Sequence, residues 1–342
     1  MCCFRTSDRR PVAWFPVSIR GLLHGYDTTP LPQFEEYLGV RPVLNGNADE
    51  MRSMQEDMMT ALAAQYPPIP NSIRIHEGVH DSFNYRIFCP AADTSDKLPV
   101  GVYYHPGGLV IGPSIADDYF CATIASSKIV VISIMYRLSP EHKAPAHLED
   151  ALNGFEWAYN NASRFGGDST RIYAIGVSAG AGLAFSVTRK VLLSQSSLRP
   201  DTVKGIAVFC PVALHPDHIP KYYESTHTSY AEMEENVPLL SASTMRLFFD
   251  LAGNDAENED YFPIRDSNIL GRLPAVYVCT SELDPVRDDG KVLVATLKDA
   301  RVPVKSDHYL GLPHCFWIVP SLPETETFYK KAINGMQWVI GM

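Results

Sequence analysis

Arg171-Ile172-Tyr173-Ala174-Ile175 runs directly into Gly176-Val177-Ser178-Ala179-Gly180, and the reading of this stretch decides the fold. An apolar run of strand length ends in a Gly-x-Ser-x-Gly pentapeptide. Glycines two before and two after the serine let a strand turn sharply into a helix, which pushes the Ser178 hydroxyl out at the strand's carboxyl end. Residues 179–194 then carry apolar side chains at spacings near three and four, a helical pattern. A serine nucleophile is the leading reading of this elbow. A small residue at a tight turn is the plain one, and the surrounding sequence decides between them.

Working outward, strand-like runs occupy 72–79, 83–89, 98–104, 129–135, 171–175, 205–209, 274–280 and 303–309. Helical patterns occupy 146–163, 179–194, 241–251, 286–300 and 324–339. Strands alternating with helices predict an α/β fold: a mostly parallel eight-stranded sheet flanked by helices and entered through an antiparallel hairpin. In such a sheet, ligands bind where loops converge at the carboxyl ends of the strands. Two regions interrupt the alternation. Residues 1–66 include a helical piece at 48–65 with Met51, Met54, Met58 and Met59, and the segment 215–251 is rich in Tyr, His and Glu. Both suit a helical cap, with 67–342 as the catalytic domain that carries the insertion. The methionines are either an adaptable acyl pocket or plain packing.

Acyl transfer by serine needs a base, a group to orient it and donors for the developing oxyanion. Each has a candidate at the end of a predicted strand. His105-Pro106-Gly107-Gly108 follows the 98–104 run, and its glycine amides, with that of Ala179, form a candidate oxyanion hole. Asp284 lies in Ser281-Glu282-Leu283-Asp284-Pro285, and His314 in Gly311-Leu312-Pro313-His314. The chain order Ser178, Asp284, His314 is the α/β-hydrolase order and differs from those of two unrelated serine-protease folds. His308 competes with His314 but sits inside a strand pattern. Glu282, Asp288 and Asp289 compete with Asp284, and the last two read as first-turn acids of a helix. His105 reads as a loop support, residues 136–141 as its buttress, and His215 with Asp217 and His218 as a solvated loop rather than a metal site.

Composition narrows the partners. The 342 residues are 46% hydrophobic and 20% charged, enough for a substantial core. A net charge of −10 disfavours nucleic acid, which is bound by clustered Lys and Arg. Seven cysteines, an odd number without paired C-x-x-C spacing, read as free thiols of a reducing, cytoplasmic compartment. No stretch has the length of an integral membrane segment. Acylation of Cys2 or Cys3 stays open, as does assembly into a homodimer. The chemistry itself calls for no cofactor and no metal.

The segments Tyr104-His105-Pro106-Gly107-Gly108-Leu109-Val110-Ile111-Gly112, Tyr136-Arg137-Leu138-Ser139-Pro140-Glu141, the Ser178 elbow, Asp284-Pro285-Val286-Arg287-Asp288 and the His314 loop together resemble the hormone-sensitive-lipase-like family of α/β-hydrolases. The resemblance spans about residues 98–342. It implies a carboxylesterase with a helical cap acting on small or medium hydrophobic esters, and a tie to fungal secondary metabolism. Pro106 stands where the family usually has the first of three glycines; proline offers no N–H, and the resemblance assigns donation to the two glycines that remain. Val177 and Gly182 replace an acid and an asparagine common around the elbow. The same frame also supports an acyltransferase, a lactonising or cyclising enzyme, or a non-catalytic ligand receptor.

Overall fold

The computed structural model describes residues 30–39, 41–91, 96–235 and 237–341. Its sheet has eight strands in the order β1-β2-β4-β3-β5-β6-β7-β8, namely β1 (Ile73–His80), β2 (Phe83–Pro90), β3 (Leu98–Tyr104), β4 (Val130–Met135), β5 (Gly167–Val177), β6 (Val203–Phe209), β7 (Ala275–Leu283) and β8 (Val304–Pro313). The β1–β2 hairpin is antiparallel, as is the β2–β4 pair. Every later neighbour pairs in parallel. Parallel strands need long crossovers, and helices supply them on both faces.

The helices are α1 (Pro30–Leu38), α2 (Ala48–Leu62), α3 (Ile115–Ala125), α4 (Ala146–Asn161), α5 (Ala179–Leu192), α6 (Ser229–Glu232), α7 (Ala242–Ala252), α8 (Ser267–Leu270), α9 (Arg287–Asp299) and α10 (Pro323–Ile340). Each strand expected from the sequence is present, with ends shifted by a few residues. Helix α3 was not expected. Its exposed positions are too few to show an apolar stripe, because Ala116, Asp117, Phe120, Cys121, Ala122, Ile124 and Ala125 are all buried. Its signal was the capping box, in which the Ser114 side chain accepts from the Asp117 backbone and the Asp117 side chain from the Ser114 N–H.

Alternation along the strands divides the core in two. On β6, Ala207 and Phe209 enter one cluster while Ile206 and Val208 enter the other. Phe209 is fully buried among the rings of Phe120, Tyr277, Trp317 and Phe328. That aromatic layer gathers at the carboxyl end of β6, where Phe209 pairs with Val177 of β5.

Residues 210–274, between β6 and β7, hold α6, α7 and α8, and the expected insertion at 215–251 falls within them. The chain before β1 ties into this segment: Leu239 N donates to Pro42 O at 2.7 Å, and Thr244 Oγ1 donates to Leu44 O at 2.7 Å. Arg52 on α2 reaches the body of the fold, donating to Val110 O at 2.9 Å and Ser139 O at 2.7 Å while pairing with Glu141 at 2.7 Å. The part of the expected cap at 1–29, with Cys2 and Cys3, lies outside the described residues. The cysteines that are described, Cys89, Cys121, Cys210, Cys279 and Cys315, are free and buried. No helix among the described residues is long and apolar enough to cross a membrane.

Candidate active site

Ser178 stands between β5 and α5 with φ 53° and ψ −119°, a strained conformation for a residue with a Cβ. Close packing imposes it. A Cβ on Gly176 would lie 2.2 Å from Gly180 O, and one on Gly180 would lie 2.1 Å from Tyr104 O, so only glycine fits on either side. The Ser178 N–H donates to Phe209 O at 2.9 Å, which pins the elbow to the end of β6.

The end of β7 places Asp284 and the end of β8 places His314 beside it. His314 Nδ1 lies 2.8 Å from Asp284 Oδ2, and His314 Nε2 lies 3.0 Å from Ser178 Oγ. Asp284 is fully buried, and its other oxygen accepts from Val286 N at 2.9 Å. Burial disfavours a charged His314. The charge and hydrogen bond of Asp284, with a contact from the Cys210 thiol, outweigh it and raise the imidazole pKa above the ordinary 6.5. The three residues expected to form a triad therefore meet in one hydrogen-bonded line. Gly107, Gly108 and Ala179 border the clefts that open on Ser178. Their amides have no acceptor among the described residues.

The competing residues are engaged elsewhere. His308 Nδ1 pairs with Thr280 Oγ1 at 2.9 Å. Glu282 accepts from Gly311 N at 2.5 Å and so braces the His314 loop. Asp288 and Asp289 do more than the first-turn role expected of them. Asp288 accepts from Thr228 N and Ser229 N, both at 2.9 Å. Asp289 accepts from Ala213 N, Leu214 N, Tyr230 Oη and His227 Nε2 at 2.7–2.9 Å. These carboxylates anchor the insertion to the turn that carries Asp284. Sequence could show the acids but not their partners, which lie some 60 residues away or more.

The residues expected to support the 105–108 loop pack against it. His105 is fully buried and stacked on Tyr136 at 4.1 Å, while Tyr136 Oη donates to His105 O at 2.8 Å. Burial lowers the His105 pKa to about 4, so the ring is neutral. Ser139 N donates to Leu109 O at 2.8 Å. His215 packs on Phe249, and Asp217 pairs with Arg246. Among the described residues, the group with metal-ligand proximity is Cys210, Asp284 and His314, whose imidazole nitrogens already serve Ser178 and Asp284.

Two clefts open on Ser178. One, of about 550 Å³, runs between α5 and α7 past Leu183, Val212 and Phe262. The other, of about 750 Å³, runs past His314, Trp317, Met58 and Met59. Phe248, Leu240 and Gly108 border both. Met58 and Met59 thus line the cleft that holds the imidazole and are packed with Met51 in one buried cluster.

Residues 101–318 match the model of a family described as having the α/β-hydrolase fold. The chain belongs to the hormone-sensitive-lipase-like α/β-hydrolases. It is a carboxylic ester hydrolase. A protein of Dothistroma septosporum named versiconal hemiacetal acetate esterase is 34% identical over 308 residues, covering 90% of this chain and 93% of the relative. One of the same name from Aspergillus parasiticus is 31% identical over 317 residues, covering 91% and 98%. The solved structure of vibralactone cyclase superposes with a TM-score of 0.82 over 96% of this chain and 99% of the other; at 23% identity that likeness concerns the fold.

Proposed function

We propose that this hydrolase is a serine carboxylesterase that cleaves a hydrophobic small-molecule ester through an acyl-enzyme. The observation that carries the proposal is the line of hydrogen bonds from Ser178 Oγ through His314 to Asp284. In this reading Ser178 Oγ attacks the ester carbonyl while His314 Nε2 takes its proton. Asp284 holds the imidazole with Nε2 free of a proton and stabilises the imidazolium that forms. The carbonyl oxygen gains negative charge as the tetrahedral intermediate forms, and the amides of Gly107, Gly108 and Ala179 receive it. The start of α5 adds the favourable potential of a helix N-terminus. His314 then returns the proton to the leaving alcohol, and water repeats the cycle on the acyl-enzyme.

The helix α2 and the insertion form the cap in this proposal. Support comes from α7 and α2 side chains in the walls of both clefts and from the bonds that join the two segments. The named relatives act on an acetate ester, which supports an ester substrate and, with their fungal origin, a place in secondary metabolism. The buried free thiols support a reducing compartment such as the cytoplasm.

Rapid mixing with a p-nitrophenyl ester tests the reading. It predicts a burst of nitrophenol equal to the enzyme present, and loss of burst, turnover and organophosphate labelling in Ser178→Ala. Turnover that persists in that variant contradicts it.

A further inference from the structure

This inference rests on the acyl-enzyme reading and adds the direction in which the ester lies and what its alcohol part carries. The leaving oxygen must receive a proton from His314 Nε2, so the alcohol part occupies the cleft that His314 lines. The acyl part takes the cleft between α5 and α7, which has no imidazole in its wall. Phe120, Trp317, Met58 and Met59 line the alcohol side, and such surfaces suit a flat aromatic group.

One charged group stands in that apolar wall. Asp117 is 6% exposed and lines the same cleft. Its Oδ1 accepts from Tyr103 Oη at 2.6 Å; its Oδ2 accepts from Ser114 N at 2.7 Å and Ser114 Oγ at 3.0 Å. Helix capping explains the Ser114 bonds, and the N-terminus of α3 offsets part of the buried charge. No cation pairs with Asp117 among the described residues, since Arg86 pairs with the neighbouring Asp118. Burial raises the Asp117 pKa, and the donors from Tyr103, Ser114 and the Asp117 backbone oppose that rise. An ionised carboxylate offers about four acceptor sites, and the bonds from Tyr103 Oη, Ser114 N and Ser114 Oγ occupy three of them. A buried charge without a counter-ion gains more from one additional donor than a solvated charge would.

We propose that Asp117 is a specificity-determining residue that accepts a hydrogen bond from a free hydroxyl on the aromatic alcohol part of the substrate. The preferred substrate class is then the ester of a polyhydroxylated aromatic, cleaved at one oxygen and recognised at another.

The test compares 1-naphthyl acetate with a set of its hydroxy-substituted isomers. A hydrogen bond to a charged group corresponds to about tenfold or more in kcat/KM, and at least one hydroxy isomer should gain that in the wild type. Asp117→Asn should reduce the ratio and Asp117→Leu should bring it to about one. Each ratio is taken within one protein, so partial loss of folded enzyme cancels. All the esters leave the same acetyl-enzyme, whose deacylation rate should not vary with the alcohol. A wild-type ratio near one for every isomer, with the acetyl-enzyme still forming, overturns the assignment even if the variants do not fold. A preference that survives Asp117→Leu overturns it too. Absence of any acetyl-enzyme is a different failure, that of the serine-esterase reading itself.

Discussion

Ser178, Asp284 and His314 leave the sheet at the ends of β5, β7 and β8, whereas α2 and residues 210–274 supply a second part of the cleft walls. The two sides differ in how they are held. On the sheet side the backbone is fixed by parallel pairing and by contacts that admit no Cβ, and Ser178 and Asp284 are buried. On the other side the anchors are side-chain bonds across long sequence separations, several of them partly exposed, such as Arg52 to Glu141. Methionines and phenylalanines from this side line the two clefts. The difference teaches a division of labour. In the proposed reading the chemistry falls to the rigid side, and contact with the substrate is shared between Asp117 on that side and the adaptable packing opposite it.

That division can be broken most severely at the elbow. Ser178→Ala should lower kcat by about six orders of magnitude, measured by ester hydrolysis in steady state. Asp284→Asn comes next at about four orders. It also sharpens the electrostatic account. His314 must be neutral to accept the serine proton, so kcat/KM falls as pH drops through the free-enzyme imidazole pKa. Because Asp284 raises that pKa, the acid limb should lie above pH 6.5 in the wild type and move downward in Asp284→Asn, as read from the pH profile. An unmoved limb would break the link.

Gly107→Ala should cost about a hundredfold to a thousandfold in kcat. Its φ is 109°, and a Cβ there would lie 2.2 Å from Ile111 O, so the loop amides must shift. For the contacts that hold α2 and residues 210–274 the expected effects pass from rate to stability and binding. Asp289→Leu removes an acceptor shared by four buried donors and should cost about 3–5 kcal/mol, read from urea unfolding. The smallest effect is expected from Arg52→Met, about 1–2 kcal/mol of stability with a severalfold rise in KM and little change in kcat. A large fall in kcat for Arg52→Met would erase the distinction between the two sides.

The same division governs what could be read from the chain. Strands buried on both faces appear as apolar runs, and Val130 to Ile134 on β4 is buried throughout, so the sheet and its motif-bearing ends were legible. The elbow, the glycine pair and the order of Asp284 and His314 are local patterns, and local patterns survive in one dimension. Helix α3 was hidden because burial on most sides removes the stripe that marks a helix. The work of Asp288 and Asp289 was hidden because their partners arrive from the insertion. Asp117 was not singled out because the helix it belongs to was itself hidden and only the fold brings it to the cleft.

The most direct measurement is a peptide map of the protein stopped within the first turnover of an acetate ester. The account predicts one acetylated peptide with the acetyl group on Ser178, absent when Asp284 or His314 is replaced. An adduct on another residue, or full turnover with no adduct at any time, would contradict it.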